Sequence, residues 1–154
     1  MVRLAAMELW ELAAREGIRD TLARYAHCAD TGRFAELVEL FAADGVLAID
    51  GRPELRGRHA ILEFLSSTKT SLASTLERPY IRHHVSSIVI EVRGPDDASA
   101  SSYFLAITQQ GPDHWGRYRD RLTRIGKRWL FAHRRVRPDG HSAQSWRATR
   151  RDAP

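Results

Sequence analysis

Apolar residues recur along the first part of the chain at helical spacing. Ile18, Leu22, Tyr25 and Ala29 follow at intervals of four, three and four, which places them on one buried helical face. Gly32 is the expected stop of that helix. "RFAELVELFAADG" aligns Phe34, Leu37, Val38 and Phe41 and predicts a second helix. "DGVLAIDGRPELRG" predicts a short strand and a turn rich in glycine and proline. "RHAILEFLSSTKTSL" gathers Ile61, Leu62 and Leu65 on the face of a third helix. After Pro79 the pattern becomes β-branched and alternating. "YIRHHVSSIVIEV", "ASASSYFLAITQQ", "RYRDRLTRI" and "RWLFAHRRVRP" predict four long strands. The separators "GPDD" and "GK" are turns, and "GPDHWG" reads as a loop. Long strands joined by short turns form an antiparallel meander. Helices first and sheet second make an α+β arrangement, with three N-terminal helices packed on a curved antiparallel sheet. The open end of such a cone is where a small-molecule pocket is expected.

A length of 154 residues suits one domain with a real core. Residues 1–138 form that domain. The segment 139–154, with few apolar residues besides Trp146, is expected to be a basic, flexible tail. Hydrophobic content of 43% and charged content of 28% are those of an ordinary globular chain. No apolar run spans a bilayer and no secretory leader is evident, so no membrane partner and a cytoplasmic location are expected. The single cysteine cannot form an internal disulfide. A net charge of +5 raises the question of nucleic acid. The arginines are spread along the chain and interleaved with acids up to residue 114, so no nucleic-acid partner is expected.

A few polar residues do not fit a plain core. Asp30 lies in the last turn of the first helix, at the negative end of its dipole. Two readings fit: a solvated end-of-helix acid, or a carboxylate held beneath a pocket as the partner of a base. In "RYAHCAD", Tyr25 is on the buried stripe, Cys28 reads as a small buried hydrophobe, and His27 falls off the stripe. His83 and His84 open the first long strand. Neighbours on a strand face opposite sides, so one of them points toward the helices. Tyr118, Asp120 and Leu122 share one face of the third long strand. An inward Asp120 needs a cationic or donor partner, and Arg135 on the neighbouring strand is a candidate for a structural salt bridge. No motif has metal-ligand or phosphate-loop spacing, so neither metal nor cofactor is expected.

Taken together, "IRDTLARYAHCADTGRFAELVELFAADGVL", "GRHAILEFL", "RHHVSSIVIEV", "SSYFLAI", "GRYRDRLTR" and "KRWLFAHRRV" resemble a SnoaL-like protein of the NTF2-like superfamily. The likeness covers roughly residues 8 to 138 and is nearest to the scytalone dehydratase and bile-acid dehydratase type of branch. It implies a cone-shaped fold and a cofactor-independent dehydratase acting on a small hydrophobic, polyketide- or steroid-like molecule. The branch uses an aspartate ending the first helix to orient a histidine base opening the first long strand. These fall on Asp30 and His83. The "YAHCAD" spacing adds Tyr25 as a third catalytic residue. The resemblance also implies substrate contacts from Tyr118, from Ser87 where the family often carries asparagine, from Tyr103, and from the adjacent His84. Isomerases, cyclases and the non-catalytic β subunits of ring-hydroxylating dioxygenases share the fold and are the alternatives. A homodimer or homotrimer is expected, since a large β face is seldom left bare.

Overall fold

The computed structural model describes residues 7–73 and 80–145. Helix α1 runs from Leu9 to Thr31, α2 from Phe34 to Val38 and α3 from Gly57 to Ala73. The strands are β1 (Phe41–Ile49), β2 (Leu55–Arg56), β3 (Ile81–Val92), β4 (Asp97–Thr108), β5 (Gly111–Ile125) and β6 (Arg128–His141). They form one curved, unclosed sheet in the order β2-β1-β6-β5-β4-β3, and the helices pack on its concave side. Strands β3 to β6 are the expected antiparallel meander. β1 runs parallel to β6, so the sheet as a whole is mixed rather than purely antiparallel.

α1 ends where the sequence predicts. Gly32 takes a left-handed φ of 69°, and the backbone N–H groups of Gly32 and Arg33 return to the carbonyls of Ala29 and Cys28. The stripe of Ile18, Leu22 and Tyr25 is buried, as is Cys28, while His27 is exposed. The Thr21 hydroxyl donates to the Trp129 carbonyl at 2.6 Å and fastens α1 to β6. The stripe meets Leu37, Phe41, Leu47, Ile61, Leu122 and Phe131 in the core.

Three sequence expectations change. The second helix stops at Val38, and from Phe41 the chain is strand rather than helix. The Phe131 N–H donates to the Leu40 carbonyl at 2.8 Å, and the Phe41 and Phe131 rings pack 5.1 Å apart. Pairing with β6 thus overrides a helical spacing that continued only one turn further. The supposed loop "GPDHWG" is the first part of β5, paired with the end of β4. The expected tail boundary at residue 139 falls inside β6, which continues to His141. Residues 146–154, including Trp146, lie outside the described residues.

Register shifts interrupt β3, β5 and β6 and help bend the sheet. The shift in β3 sets Ser87 and Ile88 against Ser102, with Ser87 at a φ of 52°. His83 and Val85 are turned inward before it, and Ile88, Ile90 and Val92 after it. A simple alternation would have put Ser87 on the His83 side.

Candidate active site

The concave side of the sheet, the C-terminal end of α1 and the middle of α3 line a cavity of about 850 Å³. Tyr25, Phe104 and Tyr118 line it as an aromatic wall. Phe34, Leu47, Ile49, Phe64, Leu65 and Val136 add apolar surface, and Asp50, Arg52, Asp139 and His141 are also in its lining. Gly116 makes room for the aromatic wall. A Cβ there would stand 2.9 Å from a ring carbon of Phe104 and 2.3 Å from the Arg137 carbonyl oxygen.

His83 and Asp30 meet in this cavity. His83 Nδ1 lies 2.6 Å from Asp30 Oδ1, and the His83 backbone N–H reaches Oδ1 at 3.2 Å and Oδ2 at 3.0 Å. Because α1 stops at Gly32, its last turn presents Asp30 to the first turn of backbone in β3. The carboxylate loses the favourable dipole it would have at a helix N-terminus but gains donors from His83 instead. With Nδ1 facing the carboxylate, Nε2 is the ring nitrogen that Asp30 does not engage. The Asp30 side chain is 8% exposed and that of His83 17%, so the pair is sheltered but open on one side.

Tyr25 and Tyr118 stand over the buried guanidinium of Arg134, whose carbon lies 4.1 Å and 4.0 Å from the two ring centroids. Arg134 is bound in turn by Asp120 through two contacts, Nε to Oδ1 at 2.9 Å and Nη2 to Oδ2 at 3.0 Å. The expected partner Arg135 is therefore corrected to Arg134. Asp120 and Arg134 are directly opposite in the β5–β6 register and share a face, whereas Arg135 points outward and pairs with Asp50 at 2.7 Å. Burial raises the pKa of both Tyr25 and Tyr118, so each phenol stays protonated and acts as a hydrogen-bond donor.

Four of the seven residues singled out in the sequence are in the cavity lining: His83, Asp30, Tyr25 and Tyr118. Three are not. His84 and Tyr103 lie on the exposed convex face, with Tyr103 53% exposed, and Ser87 is carried outward by the bulge. Among the lining residues not singled out in the sequence, His114 stands nearest in kind to the pair. His114, almost fully buried, lines the cavity with its ring centroid 6.1 Å from that of His83. Its Nδ1 lies 2.7 Å from Asp113 Oδ2, to which the Ser145 hydroxyl also donates at 2.8 Å. The signal was present: counting back by twos from Asp120 gives Tyr118, Gly116 and His114 on one face. It was lost because "GPDHWG" was read as a loop. No cluster among the described residues has the composition to hold a metal ion.

Helices on the concave side of a curved, unclosed sheet, with a cavity between them, make an NTF2-like fold. The SnoaL-like domain profile matches residues 10–135, and the chain belongs to that family. Among solved structures it is similar to a candidate scytalone dehydratase from Novosphingobium aromaticivorans, with 23% identity and a TM-score of 0.77 over 88% of this chain and 91% of that one. It is also similar to an NTF2-like protein of cystatin-like fold from the same organism, with 27% identity and a TM-score of 0.72 over 94% and 97% of the two chains. A protein from Catenulispora acidiphila, solved in complex with S-DNPA, shares 29% identity and a TM-score of 0.71 over 83% and 95%. No curated protein matches the sequence. No helix among the described residues is long and apolar enough to cross a membrane.

Proposed function

We propose that the chain is a cofactor-independent lyase that removes water from a small, largely hydrophobic molecule bearing a hydroxyl and a carbonyl. The observation that carries this reading is the 2.6 Å contact between His83 Nδ1 and Asp30 inside the cavity. Neutral His83 takes a proton from the carbon beside the carbonyl through Nε2, and Asp30 holds the ring and stabilises the imidazolium that forms. The hydroxyls of Tyr25 and Tyr118 donate to oxygen that gains negative charge. The aromatic wall of Tyr25, Phe104 and Tyr118 suits a flat polyketide- or steroid-like skeleton. That a similar protein was solved in complex with S-DNPA supports reading this chain as one that takes a ligand. A second copy of the chain, in a dimer or trimer, would cover the convex face where Val89, Tyr103 and Trp115 are exposed.

The same dyad serves an isomerase or cyclase, while a non-catalytic subunit has no need of it. The test uses the full chain with a panel of polycyclic β-hydroxy ketones, followed by mass spectrometry. Loss of water from one or more compounds is expected, abolished in His83→Ala and in Asp30→Asn. A product of unchanged mass reassigns the chemistry to isomerisation. Full turnover in either variant overturns the base assignment.

A further inference from the structure

His114 lies outside the apolar core cluster, yet it is buried and lines the cavity beside His83. Its environment is built rather than incidental. The register shift between Ala106 and Ile107 makes Asp113 the extra residue of β5, which brings two consecutive side chains, Asp113 and His114, into the interior together. Ser145, beyond the end of β6, donates to the same carboxylate oxygen that receives His114 Nδ1. The Ser142 N–H bonds the Asp113 carbonyl at 2.8 Å and brings that segment alongside.

Resting on the reading of His83 as the base, we infer that His114 is a second catalytic residue of this cavity, the acid that protonates the departing oxygen. The two imidazoles meet edge to face at 6.1 Å. At that separation one bound molecule can meet both rings, giving a proton to one and taking a proton from the other. The two histidines are held differently. The Asp30 carboxylate takes the His83 backbone N–H as well as contacting Nδ1. Asp113 and His114 are both almost wholly buried, with Nδ1 2.7 Å from Oδ2. Charged or titratable neighbours of His114 are Asp113 on its own strand, His83 on β3 backed by Asp30 on α1, Tyr118 further along β5, and His141 opposite on β6.

In the elimination, the C–H bond breaks as its proton joins His83 Nε2. The bonding pair becomes the new C=C bond. The C–O bond breaks, its electron pair leaves on oxygen, and that oxygen takes the Nε2 proton of His114 to depart as water. His83 gains the charge that His114 loses, and the proton returns through water. Asp113 and Ser145 are positioning residues.

Two 1,2-benzisoxazoles test this in the full chain. A base removes their C3 proton, the N–O bond breaks, and a 2-cyanophenolate leaves. The 5-nitro compound gives a stable phenolate and needs little acid help; the unsubstituted one needs more. His114→Gln is expected to slow the unsubstituted compound at least ~10-fold more than the nitro compound, while His83→Ala slows both alike. Nitrogen-resolved imidazole NMR at neutral pH is expected to show His114 doubly protonated beside a neutral His83, with the doubly protonated signal lost in His114→Gln. Circular dichroism confirms that the variant is folded; if it is not, the NMR of the wild-type chain decides. Equal slowing of both compounds, or two neutral imidazoles, overturns the role of His114 alone. A wild-type chain that turns over neither compound overturns the base assignment of His83 and this inference with it.

Discussion

Asp120 and Asp30 both lie on the concave side of the sheet, and each holds a basic partner through its carboxylate, but their surroundings differ. Asp120 and Arg134 have no exposed side-chain surface at all, and the guanidinium is roofed by the rings of Tyr25, Tyr118 and Phe131 at 4.0–4.3 Å. Burial works against the charge of Arg134, but Asp120 outweighs it and keeps the group firmly protonated. Nη1 finds no hydrogen-bond partner beneath those rings. Asp30 and His83 are sheltered instead of sealed, and one ring nitrogen is left for the cavity. A sealed, mutually hydrogen-bonded pair supports shape. A half-open pair containing the one side chain that titrates near neutrality can move a proton. The proposed chemistry therefore uses the second pair, which stands open to the cavity.

The largest contrast comes from disabling each pair. His83→Ala and Asp30→Asn are expected to cut turnover by about 10²–10⁴-fold while the melting temperature moves little, measured by initial rates and calorimetry. Arg134→Met is expected to do the opposite. It strands a buried carboxylate, and such a break costs about 3–5 kcal/mol by denaturant unfolding. A folded, inactive Arg134→Met and a collapsed His83→Ala together would reverse the comparison.

The comparison also shows what sequence could reveal. The stripe of Ile18, Leu22 and Tyr25 and the Gly32 stop located Asp30, because helix periodicity and capping are local properties. The meander was legible from β-branched runs and turns for the same reason. The face of each strand was less so. His83 and Ser87 share parity, and only the bulge at Ser87 separates them; a bulge depends on the partner strand, here Ser102 facing two residues at once. Arg134 rather than Arg135 faces Asp120 because of the β5–β6 register, which is likewise set by tertiary pairing. His114 was hidden by a glycine and a proline that mark a turn in isolation and a bulged strand beside β4.

Smaller effects sharpen the boundary between the two regions. Tyr25 belongs to both: its ring lies on Arg134 and it lines the cavity. Tyr25→Phe keeps the ring and removes the donor, so turnover is expected to fall about 10-fold, in line with one lost hydrogen bond of ~1.4 kcal/mol, with stability nearly unchanged. Tyr25→Leu removes the ring as well and is expected to lower both. A Phe variant that loses stability but keeps its rate would assign Tyr25 to the sealed pair alone.

The smallest effect is expected at Ser87. Four residues past the histidine, it occupies a position that resemblance marks for substrate contact, and alternation from His83 supports that choice. The bulge turns it out of the cavity, at a φ of 52° that L residues seldom adopt. Ser87→Ala should therefore leave turnover within about 2-fold of wild type, as surface substitutions generally do. Ser87→Gly tests the backbone separately, since glycine meets no steric penalty at positive φ and should hold or slightly raise stability. A rate loss in Ser87→Ala that matches Tyr25→Phe would mean that β3 continues without the bulge when ligand is bound. The site would then extend past His83 along that strand, and the convex and concave faces would no longer be distinct.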